Sequence, residues 1–247
     1  VGAVIAATGW KPYDATKLES LAYGTAKNVV TNVQFERQCA LDGPTSGKLE
    51  RPGDGKAPDS VAFVQCAGSR DELHQAWCSA VCCAVIMKQA RYVLDAFPEA
   101  KVTIFYIDRR TPGRLDAMLQ ALEEDERVRL IKGRVAKISE AADGTVTLEA
   151  EDTLSSTRVT ATADLAVLAT GLAPEAADAG FPGEWATDAY GFFPGAAAPE
   201  PGEAPVGASA GVFGAGCAKR PGEVSASVKD ATGAVLKAIQ TVRQGRR

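Results

Sequence analysis

The sequence has no basic surplus: 27 Lys and Arg against 31 Asp and Glu leave a net charge of −4. That excludes the electropositive footprint of a nucleic-acid binder. The one basic group, Arg243, Arg246 and Arg247, closes the chain and reads as a solvated end. No apolar run approaches the ~20 residues of a membrane-spanning helix, so no direct span is expected, and no signal peptide opens the chain. Nothing recurs at a short period, which rules out a solenoid. Histidine is reduced to His74 alone, read as solvated or locally hydrogen-bonded, with a metal ligand or proton carrier as the minor alternative. There is no G-x-G-x-x-G loop where a dinucleotide fold would carry one. The cysteines follow neither ferredoxin spacing, nor the paired C-x-x-C of a zinc ribbon.

What is present is a chain of 247 residues, 46% apolar and 23% charged, enough for a sizeable core in one large or two small domains. Four of its six cysteines, Cys66, Cys78, Cys82 and Cys83, fall within residues 61–90, VAFVQCAGSRDELHQAWCSAVCCAVIMKQA. The apolar run 61–64, ending at Cys66, predicts a buried parallel strand, and the alanine-rich stretch after the turn predicts a helix. On one helix Cys78 and Cys82 share a face as i and i+4, with Cys83 about 100° further round. Four thiols at a strand–helix junction suit a tetrahedral sulfur-ligated site, an iron–sulfur cluster or zinc. A redox-active thiol pair and buried structural cysteines remain as alternatives. Cysteines so grouped in a chain this long indicate metal or redox chemistry in a reducing compartment, so a cytoplasmic protein is expected.

The chain opens at Val1 in an apolar strand ending in Thr8-Gly9, with nothing before it to pair with, which predicts a chain begun inside a fold. The same apolar strand plus Ala-Thr-Gly returns at 163–171, ending in Thr170-Gly171. Residues 17–58 are irregular, with one short helix at 33–41 carrying Cys39, which reads as a packing residue. Further strands are expected at 101–108 and 128–131, and a helix at 115–126. Alternating segments at 134–138, 146–151 and 157–161 predict an antiparallel meander turning at Asp143-Gly144. Asp108, at a strand end and followed by Arg109-Arg110, has the place of a ribose-binding acid, but without the glycine loop that motif is half missing. Residues 175–208 carry Trp185, Tyr190, Phe192 and Phe193, with DAYGFF as a short strand. A strand at 211–216 ends at Cys217, and a long helix spans 223–242. Its serine- and alanine-rich start lets a helix N-terminus approach a phosphate or a flavin ring.

The cysteine motif, FYIDRR, both ATG strands and GVFGAGCAKRP together resemble the A subunits of heterodisulfide reductases, over essentially the whole chain. Within that family the chain is most similar to the A subunit of the quinone-interacting membrane-bound oxidoreductase (Qmo) complex of sulfate reducers. The absence of ferredoxin-type cysteine runs, and an end just after the last helix, favour that shorter type. The resemblance implies an α/β, two-dinucleotide-domain flavoprotein reductase fold of the glutathione/thioredoxin reductase kind, its FAD domain missing the N-terminal half. The domains are expected at 1–57 (FAD-domain segment plus connection), 58–162 (an inserted NAD-like domain with the cysteine cluster) and 163–247 (C-terminal FAD segment). It implies a 4Fe–4S cluster on Cys66, Cys78, Cys82 and Cys83. It also implies FAD held at Thr8, Gly9, Thr170, Gly171, Gly216, Cys217, Val224 and Ser225, with Lys88 as the catalytic cation near the flavin ring. The four sulfurs are expected to converge within cluster dimensions. The implied function is an oxidoreductase subunit passing electrons between FAD and the cluster. Its expected partners are other subunits of a redox complex or a second copy of itself, with any membrane association through those partners. The competing functions are a zinc-stapled scaffold and a pyridine-nucleotide–disulfide reductase using Cys82-Cys83.

Overall fold

In chain order the computed structural model has strands β1 (Val4–Ala6), β2 (Trp10–Pro12) and β3 (Val29–Thr31), helix α1 (Asn32–Cys39), strand β4 (Ser60–Ala67), helix α2 (Cys82–Ala96) and strand β5 (Lys101–Tyr106). Helix α3 (Leu115–Glu123) follows, then β6 (Val128–Lys132), β7 (Val135–Glu140), β8 (Val146–Asp152), β9 (Thr157–Ala163), β10 (Leu165–Thr170), β11 (Leu172–Pro174), β12 (Val212–Gly214) and α4 (Val224–Gln244). The structure describes residues 2–175, 187–193 and 211–244. They divide into a larger unit, Tyr13–Cys78 with Cys82–Gly171, and a smaller one, Val1–Pro12, Ser79–Val81 and Leu172–Arg247.

The larger unit is built on a five-stranded sheet in the order β3-β10-β4-β5-β6, every pair parallel. Its strands are covered on both faces, which is why they read as unbroken apolar runs and not as alternation. Along β4, Val61 and Phe63 pack with Phe35 of α1, Ile86 of α2 and Leu119 of α3. Ala62 and Val64 instead join Ile138, Leu148 and Ala161 of the antiparallel meander β7-β8-β9. Helices thus lie on one face and the meander on the other. Helix α2 presents Ile86, Met87, Ala90, Val93 and Leu94 to the sheet at three- and four-residue spacing. Helix α1 starts with a reciprocal cap, in which Thr31 Oγ1 accepts from Gln34 N–H and Gln34 Oε1 accepts from Thr31 N–H.

In the smaller unit β1 pairs in parallel with β12, Val4 opposite Val212 and Ala6 opposite Gly214, and β2 pairs antiparallel with β11. Ala6, Phe193 and Ala218 form its core.

The boundaries differ from those expected at 57/58 and 162/163. Residues from Tyr13 to 57, and the second ATG strand, β10, belong to the larger unit. The reason is pairing: β10 lies between β3 and β4, with Val167 opposite both Val30 and Phe63, so neither β3 nor β10 can leave that sheet. The DAYGFF segment is a turn, not a strand. Asp188 accepts from the N–H groups of Tyr190 and Phe192, and Gly191 takes a left-handed φ of +86°. Trp185 lies outside the described residues.

Candidate functional site

Cys66, Cys82 and Cys83 are buried, Cys78 is half-buried, and none is in a disulfide. They gather at the carboxyl end of β4, the end of an open parallel sheet at which ligands bind. Burial pushes the Cys82 thiol up to about 12, and Cys66, Cys83 and Cys78 raise it further. Cys66 is pushed up to about 11, by burial first and then by Cys83 and Cys78, while Arg70 and Arg134 pull the other way. Cys83 is raised by burial, against the backbone N–H and the charge of Arg110. The four thiols are therefore electrostatic neighbours.

They are not, however, arranged as expected. Cys82 is the first residue of α2 and Cys78 lies ahead of it, so the two are not stacked one helical turn apart. Ala80 between them has a left-handed φ of +63°, which a right-handed helix cannot contain. Among the described residues no group of three or more His, Cys, Asp or Glu could hold a metal ion as placed. The expected stacking of Cys78 and Cys82 on one helix is not met, because α2 starts only at Cys82.

The surroundings of the thiols are polar and cationic. Cys83 Sγ is 3.5 Å from Gln65 Oε1 and 3.7 Å from the Asp108 carbonyl oxygen. Cys82 Sγ points at the Thr170 carbonyl, 3.9 Å away. Arg70, in the loop after Cys66, donates to the Asp108 carboxylate at 2.7 Å. Arg134 donates to Asp71 at 2.6 Å and to the Arg70 carbonyl at 2.7 Å, pinning that loop to the meander. A cavity of about 460 Å³ opens beside Cys66, lined also by Lys17, Leu18, Leu21, His74 and Arg134. His74 is held there by Tyr13, whose hydroxyl lies 2.9 Å from Nδ1.

Thr170 and Gly171 belong to the larger unit. Thr170 is 3% exposed, and its N–H and hydroxyl both donate to Asn32 Oδ1. The Gly171 carbonyl accepts from Tyr13 N–H. As the end of a central strand, Thr170 has its polar groups satisfied within the sheet. Lys88 donates to Glu36 on α1 at 2.8 Å and lies 5.6 Å from the Tyr92 ring centre. Burial alone would lower its pKa, but Glu36 more than offsets that. Cys39 ends α1, with its thiol raised to about 11 by burial and then by Glu36. Asp108, read as half of a ribose site, instead holds Arg70, and Arg109 pairs with Glu123.

The smaller unit brings together Thr8, Gly9, Gly216, Cys217 and the start of α4. Thr8 Oγ1 is buried without a hydrogen-bond partner. Gly9 has a φ of +78°, with open space where a Cβ would stand. Gly216, φ +60°, donates its N–H to Asp230, which also pairs with Lys219. Cys217 Sγ is 3.5 Å from the Gly222 carbonyl. Ser225 donates to Glu223, whose carboxylate also accepts from Ala226 N–H, and Val224 is 80% exposed. The α4 N-terminus, where a phosphate or a flavin ring is expected against Val224 and Ser225, thus carries its own carboxylate.

Sequence reading passed over Gln65, Asn32, Arg70, Arg134 and Tyr13. Only Gln65 left a signal, as a polar side chain inside an apolar buried strand. The others left none, because what each one pairs with is set by tertiary contact and not by its own stretch of sequence.

No protein-family model matches the chain. It is 36% identical over 249 residues to the A subunit of the ferredoxin/F(420)H(2)-dependent CoB-CoM heterodisulfide reductase of Methanosarcina acetivorans, covering 99% of this chain and 31% of that protein. To the A subunit of the H(2):CoB-CoM heterodisulfide,ferredoxin reductase of Methanothermobacter thermautotrophicus it is 40% identical over 176 residues, 70% of this chain and 27% of the relative. The iron-sulfur A subunit of the CoB-CoM heterodisulfide reductase of Methanocaldococcus jannaschii is 38% identical over 177 residues, again 70% and 27%. The chain therefore spans about a third or less of the curated relatives it matches. Among solved structures, thioredoxin reductase of Lactococcus lactis aligns with a TM-score of 0.56 at 14% identity, over 98% of this chain and 66% of that one. Thioredoxin reductase of T. acidophilum gives 0.55 at 17% identity, over 99% and 66%. At such identities the likeness shows the fold, that of the two-dinucleotide-domain flavoprotein reductases.

Proposed function

Because the chain belongs to the family of heterodisulfide reductase A subunits, we propose that it is the flavin- and cluster-bearing part of an electron-transfer subunit in a multisubunit redox complex. When bound, FAD supplies electron-pair exchange and an iron–sulfur cluster single-electron exchange. The observation that carries the reading is the gathering of four cysteines at a sheet end, none in a disulfide and three of them buried. Their donor set is all soft sulfur, which suits an iron–sulfur cluster. Cys66, Cys78, Cys82 and Cys83 would hold it. Arg70, Arg110 and Arg134 offset negative charge at the sulfurs, and the Arg70–Asp108 and Arg134–Asp71 pairs hold the loop between Cys66 and Cys78.

For FAD, the orphaned Thr8 hydroxyl and the open Gly9 fit a dinucleotide at the ends of β1 and β12. Thr8, Gly9, Gly216 and Cys217 would hold it. Lys88, the cation expected near the flavin ring, pairs with Glu36. A nucleophilic Cys82-Cys83 pair is disfavoured, because burial raises both thiols. Among the described residues no helix is long and apolar enough to cross a membrane.

Anaerobic purification followed by iron, sulfide and zinc analysis tests this reading. Iron with matching sulfide, and visible absorption that bleaches on reduction, is the result expected. A colourless protein holding zinc alone would sink the proposal.

A further inference from the structure

Strand β3 is the edge of the five-stranded sheet, with β10 as its one neighbour. Against it the larger unit holds a cavity of about 490 Å³ that none of the cysteines lines. Val29, Val33, Pro44, Pro52 and the half-buried Tyr23 give it apolar walls. The face of α1 turned to it carries Val33, Gln34, Arg37 and Gln38, positions that share one stripe of a helix. The opposite face, with Phe35 and Glu36, packs on the sheet and α2.

The polar side chains on these walls are donors, and no described lining residue is a carboxylate. The Lys27 ammonium has no ion pair among the described residues; Glu140 takes only its backbone N–H. Arg37 pairs with Asp42, but both side chains are more than half exposed, so the guanidinium stays open to a second anion. Gln34 Oε1 accepts from the N–H and the hydroxyl of Thr31, which fixes the amide with its NH₂ as the free end. Gln38 differs. It is 9% exposed, and its Oε1 is buried with no hydrogen-bond partner. A buried acceptor left in that state is missing a donor.

We propose that this cavity binds a small organic acid, a carboxylate on an apolar, ring-bearing body that also carries an N–H or O–H. The carboxylate meets Lys27, Arg37 and the Gln34 NH₂, where charge and donors match it. The body lies against Tyr23, Val33 and the two prolines, and its N–H or O–H turns to Gln38 Oε1. Apolar walls with a few placed polar groups, in a volume of several hundred Å³, are the ordinary make-up of a small-molecule site. An added peptide strand fits less well. Ala166 N–H donates to the Asn28 carbonyl, so the alternation of a parallel ladder turns Thr31 outward, and its N–H is already held by Gln34. The site is independent of the thiols and of the flavin reading.

Three probes separate the contacts. Indolepropionate has the carboxylate, the ring and the N–H; indole lacks the carboxylate, and naphthylpropionate lacks the N–H. In calorimetric titrations the full chain should bind indolepropionate about tenfold more tightly than indole, as charge-assisted hydrogen bonds require. It should also prefer indolepropionate to naphthylpropionate. Lys27→Met and Arg37→Met should abolish the first preference and Gln38→Met the second, with the fold of each variant checked by its melting curve. Equal affinity for indolepropionate and indole makes the cavity an apolar crevice and overturns the proposal. No binding of any probe, or preferences that survive in folded variants, overturns it as well. Should Gln38→Met fail to fold, equal binding of the two acids by the parent is enough to reject the Gln38 contact. A dimer in sedimentation that Arg37→Met dissociates and the probes do not would seat a second copy in the cavity, and overturn the proposal too.

Discussion

Cys66, Cys82 and Cys83 are raised by burial and by the charges of neighbouring cysteines, Cys78 among them, whereas Cys39 is raised by burial and by Glu36 against Lys88. Replacing any of the four by Ser should lose the cluster or convert it to a three-iron form, while Cys39→Ser keeps full iron content. Equal iron across all five variants rejects the assignment. The same burial predicts a pH dependence in the metal-free chain. Cys82 is held at about 12 and Cys66 at about 11, against about 8.5 for an unfolded thiol. A folded-state pKa raised in this way stabilises the fold while the group is protonated. The contribution is complete below about pH 8.5 and is lost as pH climbs towards the folded values. The melting temperature of the reduced, metal-free chain should therefore fall across that window, and less steeply in Cys82→Ser. Parallel curves for the two proteins would show that Cys82 is not buried as described.

At the scale of elements, α1 and α2 are joined by a polar seam. Gln89, fully buried, donates to the Asn32 carbonyl and to Glu36, and Lys88 donates to the same carboxylate. Glu36→Ala takes an acceptor from a buried amide and should cost about 1–3 kcal/mol. Lys88→Ala removes an ammonium from a side chain that is 43% exposed, so solvent screening limits the loss to about 1 kcal/mol or less. Urea denaturation of the two variants checks the order. A Lys88→Ala loss larger than that of Glu36→Ala would point to a role for Lys88 beyond this seam. The start of α2 is also decided at this scale. The turn at Ala80 delays the helix to Cys82, leaving Cys83 near Gln65 and Asp108 in the first turn.

For the molecule as a whole, Cys66, Cys78, Cys82 and Cys83 belong to the larger unit, and Thr8, Gly9, Gly216 and Cys217 to the smaller. Two units of their own predict separable losses. Thr8→Val removes a buried hydroxyl that has no protein partner and should weaken flavin binding, read by quenching of flavin fluorescence, with iron content unchanged. Unaltered flavin affinity would remove Thr8 from the site. A loss of iron in Thr8→Val would show that the two sites are not independent.

Much of this was legible in the sequence. Unbroken apolar runs announced β4, β5 and β10, period-two alternation announced the meander, and four cysteines in 18 residues announced sulfur chemistry. Each of these signals is local, set by the alternation of a strand or the affinities of one side-chain type. The tertiary structure decided what depends on pairing across long separations. β10 was drawn into the larger unit because it lies between β3 and β4, and Asp108 was given to Arg70 in place of a ribose. Cys78 was displaced from the helix by a left-handed residue that nothing in AWCSAV signals. Gln65 was turned onto Cys83 by a bulge that exists only against β10. The sequence by itself determined which side chains the chain brings to the end of β4. Which sulfur meets which partner was settled only when strands far apart in the chain came into register.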